Sequence, residues 1–263
     1  AEVKLMADFS RQSGRKVTFT LVQSPDYAPD TWERLLEMVV TANQTGAQLY
    51  PQVSSRPIGL ASGLSGYHAF QRRPTYMKLA HLPLAERARE MAKPEIKAAI
   101  MSETDVLVDQ PGSMANMYQL FQTAAMFLYP LADPVDYEPD PSEMLGSRAA
   151  ATGQDVLDLL YDYLLEQDGA AMCALMGGPN VHDSQEVLRQ MLIHPETVTG
   201  LSDAGAHVTL ICDATMPTTQ LTFWARDRHK GERLPLEFLV AKQTARNADL
   251  YGLKDRGRLA VGL

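Results

Sequence analysis

Cysteine is almost missing from this chain: only Cys173 and Cys212 occur among 263 residues. They sit far apart in apolar settings. That excludes a disulfide framework and fits a reducing compartment, so the expected location is the cytoplasm. No apolar run approaches the ~18 residues of a membrane-spanning helix. The N-terminus has no basic-then-apolar signal pattern. It opens Ala1-Glu2-Val3 without an initiator Met, as expected of a processed or incomplete chain. Basic blocks are missing too. With 32 acidic against 24 basic residues the net charge is −8, which argues against nucleic acid and anionic membranes as partners and leaves a small molecule. Internal repeats are absent. So are G-x-S-x-G, the P-loop and G-x-G-x-x-G. His68, His81, His182, His194 and His229 show no H-x-H, H-E-x-x-H or Cys/His spacing, so the chain carries no metal-site motif of its own.

What remains is ordinary globular composition, 45% hydrophobic and 21% charged, with enough chain for a sizeable core. The spacing predicts a helix over 2–13, with Val3, Leu5, Met6 and Phe9 as its apolar stripe and Ser13-Gly14 as its stop. Lys16–Val22 is β-branched and aromatic and reads as a strand ended by Ser24-Pro25. Asp30 or Thr31 is placed to cap a helix over roughly 31–45, with Trp32, Leu35, Leu36, Val39 and Val40 inward. A second strand is expected over 48–53. Strands joined by helical crossovers form a parallel sheet.

From 54 to about 150 the pattern loosens, with helices expected at 83–92 and 94–104. The Met-rich run Met114–Met126 reads as core, and Asp133–Pro141 as a rigid acidic loop. An excursion of that length is uncommon unless it covers a site. We therefore expect part of 54–150 to act as a lid, with Arg56, Tyr67 and His68 near the mouth. Helices follow at 142–151, 154–167, 184–192, 218–228 and 236–248. Strands are expected at 170–175 and 197–203.

The turn Gly200-Leu-Ser-Asp-Ala-Gly-Ala-His207 is the most informative segment. An apolar strand delivers Asp203 at its C-terminal end, where α/β proteins bind ligands. A carboxylate there can bind a metal or act as a base on water. It can equally be a turn cap. His207 is a candidate substrate-binding residue or a structural one. Asp213 lines the same mouth or caps a loop. In a parallel sheet, Gln23 and Ser54-Ser55-Arg56 reach that mouth as well. Gln23 is placed to hydrogen-bond a substrate amide and Arg56 to clamp a carboxylate; each can instead be structural. Arg226–Lys230 reads as a solvated helix end.

His194-Pro-Glu-Thr-Val-Thr-Gly-Leu-Ser-Asp-Ala-Gly-Ala-His207 resembles the last barrel strand of the amidohydrolase superfamily, in its N-acyl-D-amino-acid deacylase-like branch. Leu234-Pro-Leu-Glu237, the Thr244–Tyr251 helix, Gly252–Leu259, Ser13–Thr20 and Leu82–Arg87 are similar to the same branch. The resemblance implies part of a (β/α)8 TIM-type barrel, strands six to eight, with 54–150 as a long insertion in a single partial-barrel domain spanning 1–263. It implies a metal-dependent hydrolase of C–N amide bonds, with divalent metal, Zn²⁺, activating water. Asp203 maps to the Asp that binds metal or shuttles the proton. The H-x-H, the bridging ligand and the strand-five His of that family have no counterpart here. Leu21-Val22-Gln23 stands where strand six offers a His. The expectation is therefore that this chain alone binds no zinc and that an upstream segment or an oligomer completes the barrel. The alternative is a truncated or metal-free domain used for binding or as a scaffold.

Overall fold

The computed structural model describes residues 1–23, 28–110, 112–177, 184–203, 205, 207 and 209–263. Ser24-Pro25, His182, and Ala204 and Ala206 of the Gly200–His207 turn lie outside the described residues. In chain order the elements begin with α1 (Glu2–Ser13), β1 (Val17–Thr20), α2 (Thr31–Gln44), β2 (Leu49–Val53) and β3 (Ile58–Gly63). Then come α3 (Pro74–Leu79), α4 (Leu84–Met91), α5 (Pro94–Ser102), α6 (Tyr118–Thr123), β4 (Leu128–Pro130), α7 (Leu145–Thr152), α8 (Val156–Leu165) and β5 (Met172–Gly177). The chain continues through α9 (Glu186–Ile193), β6 (Val198–Thr199), α10 (Met216–Thr222), α11 (Leu236–Gln243) and α12 (Ala245–Tyr251). No described helix is long and apolar enough to cross a membrane.

Two compact units result. The first holds Ala1–Ile58, Gly177–Ala204 and Asp213–Leu263; the second holds Gly59–Met176 and Gly205–Cys212. The irregular stretch expected over 54–150 belongs to the second unit from Gly59 onward.

In the first unit β1, β2 and β6 form a parallel sheet in that order. Val17 pairs with Leu49, and Gln52 with Val198. Leu49, Val17 and Phe19 pack with Val3, Ala7, Val39 and Ala42 of α1 and α2. The stripe of α1 is turned from the expected one: Val3, Ala7 and Ser10 are buried, whereas Leu5 and Phe9 are exposed. The small residues allow close approach, and the Ser10 hydroxyl donates to the Arg15 carbonyl at 2.7 Å while accepting from the Gln48 N–H at 2.9 Å. Gly14 ends α1 at φ 68, a left-handed stop that glycine adopts freely.

Asn43 ties this layer together. Its amide oxygen accepts from the Leu49 N–H at 2.8 Å, and its amide nitrogen donates to the Leu49 carbonyl at 3.0 Å and to Glu196 Oε2 at 2.7 Å.

The helix expected over 218–228 is present in two turns, α10 and a wider π-type turn over Phe223–Asp227. Its charged end is not wholly solvated. Arg228 is buried, lies over Trp224 at 4.9 Å and donates to the Glu232 carbonyl at 2.8 Å. The aliphatic and planar parts of arginine make such burial tolerable when its N–H groups are matched. The helix expected over 236–248 breaks at Thr244 (φ −111, ψ −78) into α11 and α12. The strand expected over 197–203 shortens to Val198–Thr199, because left-handed backbone begins at Leu201.

The second unit carries a sheet in the order β3–β5–β4, with β4 antiparallel to β5. Leu64, Phe70, Met91, Ile100, Phe121, Leu160 and Tyr161 fill its core. His68 belongs to that core: it is buried edge-on to Tyr76 with ring centroids 4.4 Å apart. Burial, and then the Arg87 charge, pushes its pKa down to about 3, so it is neutral at physiological pH. Both cysteines are free thiols. Burial pushes the Cys173 thiol up to about 12.

Candidate functional site

Because β1, β2 and β6 run parallel, the residues that leave their C-terminal ends emerge at one end of the sheet. Gln23 follows β1, Ser54-Ser55-Arg56 follows β2, and Gly200–Asp203 follows β6. That much agrees with the sequence reading. The side chains, however, have different tasks.

Gln23 is 1% exposed and its amide is turned onto the backbone. Its Oε1 accepts the Trp32 N–H at 3.3 Å and its Nε2 donates to the Ala28 carbonyl at 3.2 Å. It thereby supplies the cap for α2. Asp30 stands at the cap position but makes no capping bond there and lies 3.4 Å from Arg34 instead. In place of a substrate amide, Gln23 satisfies a helix start that would otherwise leave a donor unpaired.

Arg56 is also 1% exposed. Its Nη1 lies 2.7 Å from Asp213 Oδ1 and 2.9 Å from the Pro57 carbonyl, and its Nη2 donates to Thr215 Oγ1 at 3.1 Å. The carboxylate that Arg56 clamps is internal. Asp213 heads the short turn Asp213–Thr215 and is itself buried. Two charges taken out of water hold the segment after β2 against the segment before α10. Ser55 adds to this: its hydroxyl donates to the Met216 carbonyl at 2.7 Å, and its own carbonyl accepts the Trp224 indole N–H at 2.6 Å.

Asp203 is different. It is exposed, and among the described residues its carboxylate makes no hydrogen bond and no ion pair. Its φ is 43, and Leu201 has φ 68. Left-handed backbone is tolerable for Asp and costly for Leu, so the turn after β6 carries strain of the kind that concentrates at functional sites. His207, with φ 45, is exposed and belongs to the second unit. Its carbonyl heads a turn, accepting from the Leu210 and Ile211 N–H groups at 2.7 and 3.0 Å.

Beside Asp203 in the chain, Ser202 lines a pocket of about 260 Å³. Thr199, Gly200 and Ser55 form its strand side; Met216, Pro217 and Gln220 of α10, Gln243 of α11 and Asn247 of α12 form the other. Sequence reasoning missed these three amides. Gln243 and Asn247, four residues apart, were the available signal. It also missed Lys242, buried with its ammonium donating to the His194 carbonyl at 3.0 Å and to Thr197 Oγ1 at 2.9 Å.

The chain matches the sequence profile of the Amidohydrolase family over residues 2–263. It belongs to the amidohydrolase family. No curated protein matches it. Among solved structures it is similar to a zinc- and phosphonate-bound N-acyl-D-glutamate deacylase from Bordetella bronchiseptica, whose inhibitor mimics the reaction's tetrahedral intermediate. The two are 14% identical with a TM-score of 0.42, over 99% of this chain and 41% of that one. This amidohydrolase chain thus spans about two fifths of that protein's length.

Membership brings a metal into question, and the donor set can be tested. A catalytic zinc site needs about three protein ligands plus water. Among the described residues no three His, Cys, Asp or Glu side chains come together in a way that would hold a metal ion. Asp203 is a single donor. These described residues do not by themselves fit a metal site.

Proposed function

We propose that this chain is the part of an amidohydrolase that closes the C-terminal end of its barrel and supplies Asp203 as the group that moves the proton in C–N amide hydrolysis, in the manner of N-acyl-amino-acid deacylases. The observation that carries the reading is the Asp203 carboxylate, exposed and without a hydrogen bond or ion pair among the described residues, on left-handed backbone just beyond a parallel strand. Strand C-termini are where α/β hydrolases assemble their chemistry. An exposed carboxylate is available to accept a proton in a way that the buried Asp213, locked to Arg56, is not. Family membership supplies the reaction class.

In this mechanism Asp203 takes a proton as water oxygen attacks the amide carbonyl carbon. It then returns that proton to the amide nitrogen as the C–N bond breaks, leaving a carboxylic acid and an amine. The Asp203 carboxylate begins and ends the cycle ionised. The substrate is an N-acyl small molecule. This reading gives Arg56 no part in holding the substrate, because its guanidinium is buried against Asp213.

The test is Asp203→Asn in the protein that carries this chain, assayed on a panel of N-acyl amino acids. Asn keeps the size and the tolerance for left-handed backbone but removes the basic site. Turnover is expected to fall roughly 10²–10⁴-fold, the usual worth of a positioned general base, with the melting temperature unchanged. Turnover near that of the unmodified protein would refute the assignment.

A further inference from the structure

Two cations meet on one tyrosine toward the N-terminal ends of the first unit's strands, whereas Asp203 follows the C-terminal end of β6. Lys16 immediately precedes β1, Tyr50 lies in β2, and Arg246 lies in the first turn of α12. The Lys16 ammonium is 5.8 Å from the Tyr50 ring centroid and the Arg246 guanidinium carbon 5.4 Å. A ring face attracts a cation but does not neutralise it.

Among the described residues neither cation has a carboxylate partner. The Lys16 ammonium donates to the Asp249 carbonyl, and Arg246 Nη2 to the Pro195 carbonyl. Carbonyl oxygens cancel no charge, and most of the N–H groups on both side chains stay unspent. The Tyr50 hydroxyl makes no hydrogen bond among the described residues. The Asp249 carboxylate beside them is taken: Oδ1 and Oδ2 lie 3.0 and 2.5 Å from Arg258 Nη1 and Nη2. The Arg258 hydrogen bonds hold its carboxyl below the usual range, and the Lys16 and Arg246 charges act in the same direction. Across Lys16, Arg246, Arg258 and Asp249, cations outnumber carboxylates in a protein whose net charge is −8. Two like charges held beside one ring repel each other, and an anion that enters beside them relieves the repulsion.

We infer that Lys16, Tyr50 and Arg246 bind a phosphate group, as the free ion or as a monoester. A dianion matches the two cations that lack a carboxylate. Arg246 offers its planar fork, Lys16 a point charge and Tyr50 a hydroxyl donor. Donors on three separate segments suit a tetrahedral set of oxygens better than the two coplanar oxygens of a carboxylate. Bound there, the group ties the start of β1 to α12. It acts as an effector, with no bond in it broken, and the inference stands or falls by binding whatever Asp203 does.

The experiment is a titration of the ¹⁵N-labelled chain with sodium phosphate, glycerol 3-phosphate and sodium acetate, following the backbone amide signals of Val17, Tyr50 and Arg246. It is run at about pH 8, where phosphate is a dianion, with ionic strength held constant by sodium chloride. Saturable shifts are expected with both phosphates, with dissociation constants of about 1–10 mM for so small an ion, and none with acetate. The tighter of the two phosphates identifies the source of the group. Arg246→Gln and Lys16→Gln are each expected to weaken phosphate binding roughly fivefold or more. Tyr50→Phe, which keeps the ring and removes the hydroxyl, is expected to weaken it roughly threefold. Lys16 is exposed, so its variant tests the site even if Arg246→Gln fails to fold. No saturation with either phosphate, acetate binding as tightly as phosphate, or a Lys16→Gln variant that binds phosphate as the natural chain does would overturn the inference.

Discussion

Arg56 and Asp213 show how far a single residue's chemistry can be read without its partner. A guanidinium at a strand end invites an anion, and the anion is there, 2.7 Å away, but it belongs to the protein. Both side chains are 1% exposed, so neither charge can fall back on water if the other is removed. Asp213→Ala is therefore expected to cost roughly 3–5 kcal/mol, because it strands a buried guanidinium. Arg56→Met combined with Asp213→Leu should cost much less than either single change, since no charge is left uncompensated. Denaturant unfolding followed by tryptophan fluorescence reads this directly: Trp32 and Trp224 both lie in the unit that contains the pair. A double variant as unstable as Asp213→Ala would mean that the pair's geometry, and not its charge balance, holds the two segments together.

Elements depend on such ties as much as on propensity. The parallel pairing of β2 with β1 and β6 is supplemented by one side chain, Asn43, which copies a backbone strand by bonding both the N–H and the carbonyl of Leu49 while reaching Glu196. Asn43→Ala removes three bonds at a half-buried position and is expected to lower stability by about 1–3 kcal/mol. Asn43→Asp keeps an acceptor for the Leu49 N–H but sets a carboxylate against Glu196, so it should melt no higher than the Ala variant. An Asp variant more stable than Ala would remove Glu196 from the account. The helices and strands themselves were largely legible. Val17–Thr20, Leu49–Val53, Thr31–Gln44 and Leu84–Met91 fall inside the spans their periodicity predicts, because a two- or 3.6-residue repeat is written locally. Strands β3 and β4 were not legible: Ile58–Gly63 contains two glycines, and Leu128–Pro130 is three residues long. Their pairing with β5 is a long-range fact. The same limit applied to the site. Asp203 was marked by its place after an apolar strand. The Gln220, Gln243 and Asn247 amides were not: the spacing of Gln243 and Asn247 puts those two on one helical face, but only packing brings them to Gln220 and Ser202 around one pocket.

For the whole molecule, a net charge of −8 suggests that stability should depend on acid groups, yet two of the strongest shifts fall on buried bases, one in each unit. His68 in the second unit is neutral down to about pH 3. Lys242 in the first unit has its pKa pushed down to about 7 from 10.5, chiefly by burial and then by the neighbouring Arg246 charge. Among the described residues the ammonium has two oxygen partners, the His194 carbonyl and Thr197 Oγ1, and no carboxylate to offset its desolvation. The sign follows from proton counting. Between pH 7 and 10.5 the unfolded chain holds a proton on Lys242 that the folded chain has released, so the unfolded state binds more protons and stability rises with pH through that window. Below pH 7 both states are protonated and the contribution is flat. One group can contribute at most ~1.4 kcal/mol per pH unit. Lys242→Met removes the titration while keeping an apolar chain of similar length. The difference in unfolding free energy between the natural chain and this variant, read by tryptophan fluorescence from pH 6 to 10, should be constant below about pH 7 and should climb in favour of the natural chain above it. Two curves that stay parallel across the window would show that Lys242 remains charged in the folded protein, and that its two oxygen partners suffice to hold an ammonium at the edge of the sheet.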